Sequence, residues 1–182
     1  MLVFVMVLTT LDKKNSMYLM RAEVPGPEKD KLVPKTMSTA RILYGIYFGM
    51  TAVEVVLLLL GGMNLFDSLI FSFGTAGTGG FANYAASVGY FDSVYIDAVI
   101  TVFMILFGVN FNLYFFLLMR EFKPVWKNEE LKAYIGIILM SALMITINIS
   151  HLYTGPLKAF RYAVFQVASV ITTTGYATAD FV

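Results

Sequence analysis

The sequence contains no cysteine. Disulfides, thiolate metal sites and thiol nucleophiles are thereby excluded. It has one histidine, His151, and its carboxylates are scattered. Neither a His–carboxylate metal site nor an acid–base pair can be assembled from them, which argues against an enzyme and against a cofactor. His151 reads as an interfacial polar residue. Charge is scarce, at 14% of residues, and one sign is missing from a long stretch: Gly61–Ala98 has no lysine or arginine but carries Asp67, Asp92 and Asp97. Lys123, Trp126 and Lys127 sit beside apolar runs as interfacial anchors and do not form a nucleic-acid patch. Met1–Thr9 is apolar, but no basic residue precedes it and no small-residue cleavage site follows, so it is not a cleavable signal.

What the sequence has in quantity is apolar surface. Of 182 residues, 58% are hydrophobic and 15% aromatic, and mean hydropathy is +0.74. A soluble domain is about 45–50% apolar, so the chain is expected in a lipid bilayer. The 13 basic residues cluster, with seven between Lys13 and Arg41 and four between Arg120 and Lys132. The positive-inside rule makes those two stretches cytoplasmic and Gly61–Ala98 external.

Apolar runs divide the chain further. Residues 1–11 are too short to span a bilayer, which takes about 20 apolar residues, and read as the end of a preceding transmembrane helix. Residues 12–41 form a polar, proline-punctuated cytoplasmic linker. Ile42–Met63 is long enough to span and carries one charge, Glu54, for which a structural role is expected: pairing with a neighbouring helix, or protonation. Leu65–Phe73 is too short to cross, and Gly74–Gly80 follows with four glycines and two threonines. Val94–Met119 is a second span, interrupted by Asp97, Asn110 and Asn112. Residues 120–132 form the second basic loop, and Ala133–Ser150 is a third span. Leu157–Ile171 is again short and leads into Thr172-Thr173-Thr174-Gly175-Tyr176.

The pattern of span, half-length helix and Gly/Thr loop therefore occurs twice. An offset of 95 residues places Gly80 on Gly175, Thr78 on Thr173, Phe81 on Tyr176 and Ala82 on Ala177. Parallel repeats are a common way to build a membrane path. The expected fold is all-α and integral to the membrane, with repeated units of helix, pore helix, filter loop and helix. Residues 42–119 make one complete unit, and residues 133–182 the first half of the next.

A Gly-rich loop at membrane depth exposes backbone groups that lipid cannot satisfy, so it must be buried in protein or line an aqueous path. A half-helix descending from outside ends with its negative dipole end in the membrane interior. Glycine lets the returning backbone turn its carbonyls toward a common axis, where a ring of them can replace the water shell of a potassium ion. The candidate ion ligands are Gly77, Thr78, Gly79 and Gly80 in one loop, and Thr172, Thr173, Thr174 and Gly175 in the other. Hydroxyls of Thr75, Thr78 and Thr172–Thr174 are expected at the same level. Neither loop carries lysine or arginine, so the ion is a cation. Asn110 is a candidate supporting residue, by helix–helix hydrogen bonding or pore lining. Asp67 is expected to favour the half-helix dipole. Asp92 and Asp97 are expected either near the outer mouth, where acidic groups raise the local cation concentration, or as ordinary surface charge.

The stretch Phe73-Gly74-Thr75-Ala76-Gly77-Thr78-Gly79-Gly80-Phe81-Ala82, followed by Ser87-Val88-Gly89-Tyr90-Phe91-Asp92-Ser93, resembles the second pore loop of Trk/Ktr-type potassium transporters. Phe165-Gln166-Val167-Ala168-Ser169 through Thr172–Tyr176 resembles the third, and Arg21-Ala22-Glu23-Val24-Pro25-Gly26-Pro27 the linker between the first two repeats. The resemblance implies four repeats around one pore, with Gly80 and Gly175 as filter glycines and the residues before them coordinating potassium. It implies a multi-pass protein of the cell (inner) membrane, a homodimer, and a cytosolic nucleotide-binding regulatory subunit. Potassium is the transported ion and no cofactor is implied. On this reading the chain supplies the end of repeat one, all of repeat two and half of repeat three, as a fragment or truncated product. Glycines at both filter positions favour potassium over sodium. A sodium or mixed-cation relative and a non-conducting scaffold remain the alternatives.

Overall fold

The computed structural model describes residues 36–150 and 155–178. The first transmembrane segment, the linker motif around Pro25 and His151 lie outside the described residues. Leu43–Val182 forms one compact unit. Among the described residues every regular element is helical: α1 (Thr36–Leu60), α2 (Leu65–Ala76), a 3₁₀ turn (Ser87–Phe91), α3 (Val94–Phe107), α4 (Phe111–Leu118), α5 (Phe122–Lys127), α6 (Glu129–Ile149) and α7 (Pro156–Ile171).

Among the described residues two helices are long and apolar enough to cross a membrane, over Arg41–Leu60 in α1 and Glu129–Ile149 in α6. The expected single span Val94–Met119 is instead two helices, α3 and α4, bent by 91°. The break lies at Gly108–Asn110. Gly108 closes α3, and Asn110 caps α4 by accepting from the Asn112 amide at 3.1 Å. Asparagine is a weak helix former but a strong N-cap, so a residue expected mid-helix serves as a helix start. Tyr114 Oη then donates back across the corner to Leu106 O at 2.7 Å.

Helix α1 stops at the Gly61-Gly62 pair, where Gly62 takes φ +91°. Asn64 caps α2, its side chain accepting from the Asp67 amide at 2.8 Å. Pro156 occupies the first turn of α7, where its missing N–H has no partner to lose. The half-helices α2 and α7 both pack on α3, and α7 also lies along α6. Their shared core contains Leu58, Phe71, Val88, Ile100, Met104, Phe165 and Tyr176, all buried. Large apolar side chains on the outside of α1 and α6, among them Phe48, Leu60, Ile137, Met140 and Ile147, are exposed, as expected of faces that meet lipid or other protein.

Asp97 departs from its expected place at the outer mouth. It is 3% exposed, on the face of α3 covered by α7, and Arg161 Nε approaches its Oδ2 at 3.4 Å. The Asp97 Oδ2 faces a cationic partner within the protein, and Oδ1 is buried with no hydrogen bond among the described residues. Removing one member of a buried pair leaves the other charge uncompensated. Arg161→Met should therefore destabilise the protein by roughly 3 kcal/mol, seen as a lower thermal unfolding midpoint in detergent. Adding Asp97→Asn should recover most of the loss.

Candidate ion-conduction site

The two Gly/Thr loops carry the same backbone. Helix α2 runs three residues further than its apolar run suggested, through Ala76, so the first loop proper is residues 77–80. There the Gly77 amide donates to Phe73 O (2.9 Å), Thr78 to Thr75 O (3.1 Å), Gly79 to Gly74 O (2.8 Å) and Gly80 to Gly74 O (3.4 Å). In the second loop, Thr172 donates to Ala168 O (3.1 Å), Thr173 to Val170 O (3.1 Å), Thr174 to Ser169 O (2.9 Å) and Gly175 to Ser169 O (3.4 Å). Every donor and every acceptor is displaced by the same 95 residues.

The dihedrals agree as well. Thr78 and Thr173 take φ +48° and +58°, and Gly80 and Gly175 take +62° and +85°. For a β-branched residue a positive φ is an outlier that costs of order 1–3 kcal/mol and persists only where its surroundings impose it. Two such threonines at matched positions mark these loops as held in shape.

The consequence is directional. All eight loop amides point into the ends of their own half-helices. Among the described residues, no hydrogen bond ends on a carbonyl of residues 77–80 or 172–175. The loops thus have their donors satisfied and their acceptors free, which is the polarity a cation requires. They also lie side by side: a side chain at Gly80 would fall on the Thr174 carbonyl oxygen.

A family model described as "TrkH: Cation transport protein" matches residues 1–182. The chain belongs to the TrkH family. It is 39% identical over 171 residues to the "Trk system potassium uptake protein TrkH" of Vibrio parahaemolyticus, covering 91% of this chain and 35% of the relative. With the TrkH of Escherichia coli K12 it shares 38% over 166 residues, covering 89% and 34%, and with TrkG of the same organism 31% over 166 residues, covering 90% and 34%. The crystal structure of the potassium transporter TrkH from V. parahaemolyticus superposes with a TM-score of 0.75 at 36% identity, over 81% of this chain and 33% of that one. This TrkH-family chain therefore spans about a third of the length of the curated relatives it matches.

Not all the expected hydroxyls sit with the free carbonyls. Thr75 lies inside α2, fully buried, and its Oγ1 donates to Phe71 O at 2.8 Å. Thr172 Oγ1 donates to Ala168 O at 2.7 Å, which leaves Thr174 Oγ1 to donate to Thr172 at 2.8 Å. Thr75 and Thr172 therefore brace the helix ends from behind, because a threonine at a helix end bonds most readily to the carbonyl four residues back, and Thr174 is held by Thr172. Thr78 is half-buried and Thr173 exposed, so these two carry the hydroxyls that remain available. Asn110, at the α3–α4 corner, donates from Nδ2 to Glu130 Oε2 on α6 at 3.4 Å, a hydrogen bond between helices. Asp92 is exposed at the end of the 3₁₀ turn.

Asp67 and Tyr176 acquire roles that spacing alone did not reveal, and Glu54 takes a place beside the first half-helix. Asp67 receives Asn64 Nδ2 (2.8 Å), Tyr84 Oη (2.9 Å) and Asn83 Nδ2. It ties the start of α2 to the segment that leaves the loop, closing the hairpin at the end away from the loop. The same bond pushes the Tyr84 phenol pKa up, so it stays a donor. Glu54 is fully buried on α1 beside Thr75, with no well-formed hydrogen bond to either carboxylate oxygen. Among the described residues it makes no ion pair, and its polar neighbour on another helix is Thr75 of α2. Tyr176, expected only as the counterpart of Phe81, is fully buried and reaches across to the other loop. An acid three residues into a half-helix and an aromatic directly after a loop glycine are signals that sequence reading can use.

Gly80 and Gly175 share a left-handed backbone but not their surroundings. A methyl at Gly80 meets the backbone of Thr174 and Gly175, whereas nothing lies within 4 Å of one at Gly175. Gly175→Ala should cost only the conformational term, about 1–2 kcal/mol. Gly80→Ala adds a backbone collision between loops. Thermal unfolding of the two variants should show the larger drop for Gly80→Ala.

Proposed function

We propose that this chain supplies two of the filter loops of a potassium uptake transporter in the cell (inner) membrane. The observation that carries the reading is the shared polarity of residues 77–80 and 172–175, amides inward and carbonyls free, at the ends of two half-helices in a TrkH-family chain. A potassium ion shedding water in this space meets oxygens already fixed in place. An anion would meet the same oxygens and be repelled. The relatives are named as potassium uptake proteins, and glycine at both Gly80 and Gly175 agrees with potassium as the transported ion. Residues 42–119 act as one complete pore unit and residues 133–182 as the first half of the next. The complete path requires further loops, supplied by the rest of a longer protein. That protein acts as a homodimer with a cytosolic nucleotide-binding subunit that regulates it.

The test is complementation. The segment is placed in a complete Trk transporter in exchange for its own matching third and expressed in a potassium-uptake-deficient cell. Growth in low potassium should be restored. Gly175→Asp, which sets a carboxylate among the free carbonyls, should abolish that growth while membrane insertion, measured by immunoblot of the membrane fraction, stays unchanged. Growth that persists in Gly175→Asp would show that residues 172–175 do not form the filter.

A further inference from the structure

The two loops match in every amide bond but differ in how the residue after each is held. In the second loop, Ser169 Oγ, from the last turns of α7, donates to the Tyr176 carbonyl at 2.7 Å. The corresponding pair in the first loop is Gly74 and Phe81, and Gly74 has no hydroxyl to offer. Its place is taken from outside. Tyr176 Oη lies where a side chain on Gly74 would stand, 3.2 Å from the Phe81 carbonyl and 3.0 Å from that of Phe71. The Phe71 carbonyl already accepts from Thr75 Oγ1 at 2.8 Å. The Phe81 carbonyl has no other partner among the described residues, so the loss of the tyrosine hydroxyl falls on it.

Tyr176 is well placed to transmit position. Its ring is fully buried against Phe71, with centroids 5.4 Å apart. Its own backbone is anchored by Ser169, and next to it the Ala177 carbonyl accepts from the Gly89 amide at 3.2 Å. We propose that Tyr176 is a positioning residue for selectivity: a strut from the second loop that substitutes for the hydroxyl missing at Gly74 and fixes the exit of the first loop, so that the two sets of carbonyls keep a common spacing. The inference rests on the filter reading above. Discrimination between potassium and sodium depends on the number and arrangement of the carbonyls presented. A loop whose exit is loose accommodates the smaller ion better.

The experiment uses the same full-length exchange transporter, purified into liposomes, with the ratio of potassium to sodium uptake as readout. Tyr176→Phe keeps the ring and removes the hydroxyl. It should fold normally and lower the ratio by roughly fivefold, the effect of one neutral hydrogen bond. Gly74→Ser alone should lose uptake, because its side chain meets Tyr176 Oη. In the double variant the serine hydroxyl stands where Ser169 stands in the other loop and reaches the Phe81 carbonyl, so the ratio should rise back toward that of the unmodified protein. A Tyr176→Phe protein that is folded with an unchanged ratio overturns the proposal. So does one that fails to fold, since the residue would then serve the fold alone, and so does a double variant no more selective than Tyr176→Phe. Gly175→Asp run alongside separates the two readings. If it still transports, the filter assignment falls. If it is inactive while Tyr176→Phe is unaltered, only the strut falls.

Discussion

The structure depends on which way the loop amides face. A peptide chain that enters a membrane and turns back carries donors and acceptors in equal number, and lipid satisfies neither. Residues 77–80 and 172–175 resolve this by sending every N–H into the carboxyl end of the half-helix just completed. The helix ends need those donors, because their last carbonyls are otherwise unpaired. Two deficits cancel, and what remains is a set of unpaired carbonyls. Their unsatisfied state is tolerable only if water or a cation occupies the space before them. On the proposed reading, a bound cation is the counterpart of a backbone that would otherwise be too costly to bury.

Keeping that arrangement requires support at both ends of each hairpin. At the end of the first away from the loop, Asp67 gathers Asn64, Asn83 and Tyr84. At the loop end Thr75, and in the second loop Thr172, bond back into their helices, and Thr174 is held by Thr172. Helix α3 gives both half-helices a common wall, and the Asp97–Arg161 pair sets α7 against it. Left-handed threonines at 78 and 173 fit this picture. A conformation that a threonine does not adopt by preference is held by the contacts around it.

Much of this was legible in the sequence, for physical reasons. Lipid imposes a length on a span, so α1 and α6 were visible as apolar runs, and α2 and α7 stood out as too short. The loops were legible because glycine and threonine recur at one offset. Composition was a poorer guide to direction. The free rotation of a threonine hydroxyl cannot be read from spacing, and Thr75, Thr172 and Thr174 turn inward where a hydroxyl at filter level was expected. Asp97 looked like surface charge because its partner Arg161 is distant in sequence and sits on another half-helix. The corner at Gly108–Asn110 was hidden because apolar residues continue on both sides of it, and hydropathy does not register a change of direction. The role of Tyr176 depends on the absence of an atom at Gly74, which only the superposed geometry of two repeats makes meaningful.

The borrowed hydroxyl also has a consequence for how such a chain is made. A protein emerges from its amino end, and domains that fold in that order normally complete themselves as they appear. The first loop departs from this. The group that closes its exit is 95 residues further along, on a half-helix that cannot be in place until α6 has entered the membrane. Until then the Phe81 carbonyl waits without its donor, while the second loop carries its own closing hydroxyl in Ser169. The pair of loops is therefore finished from the later one back to the earlier one.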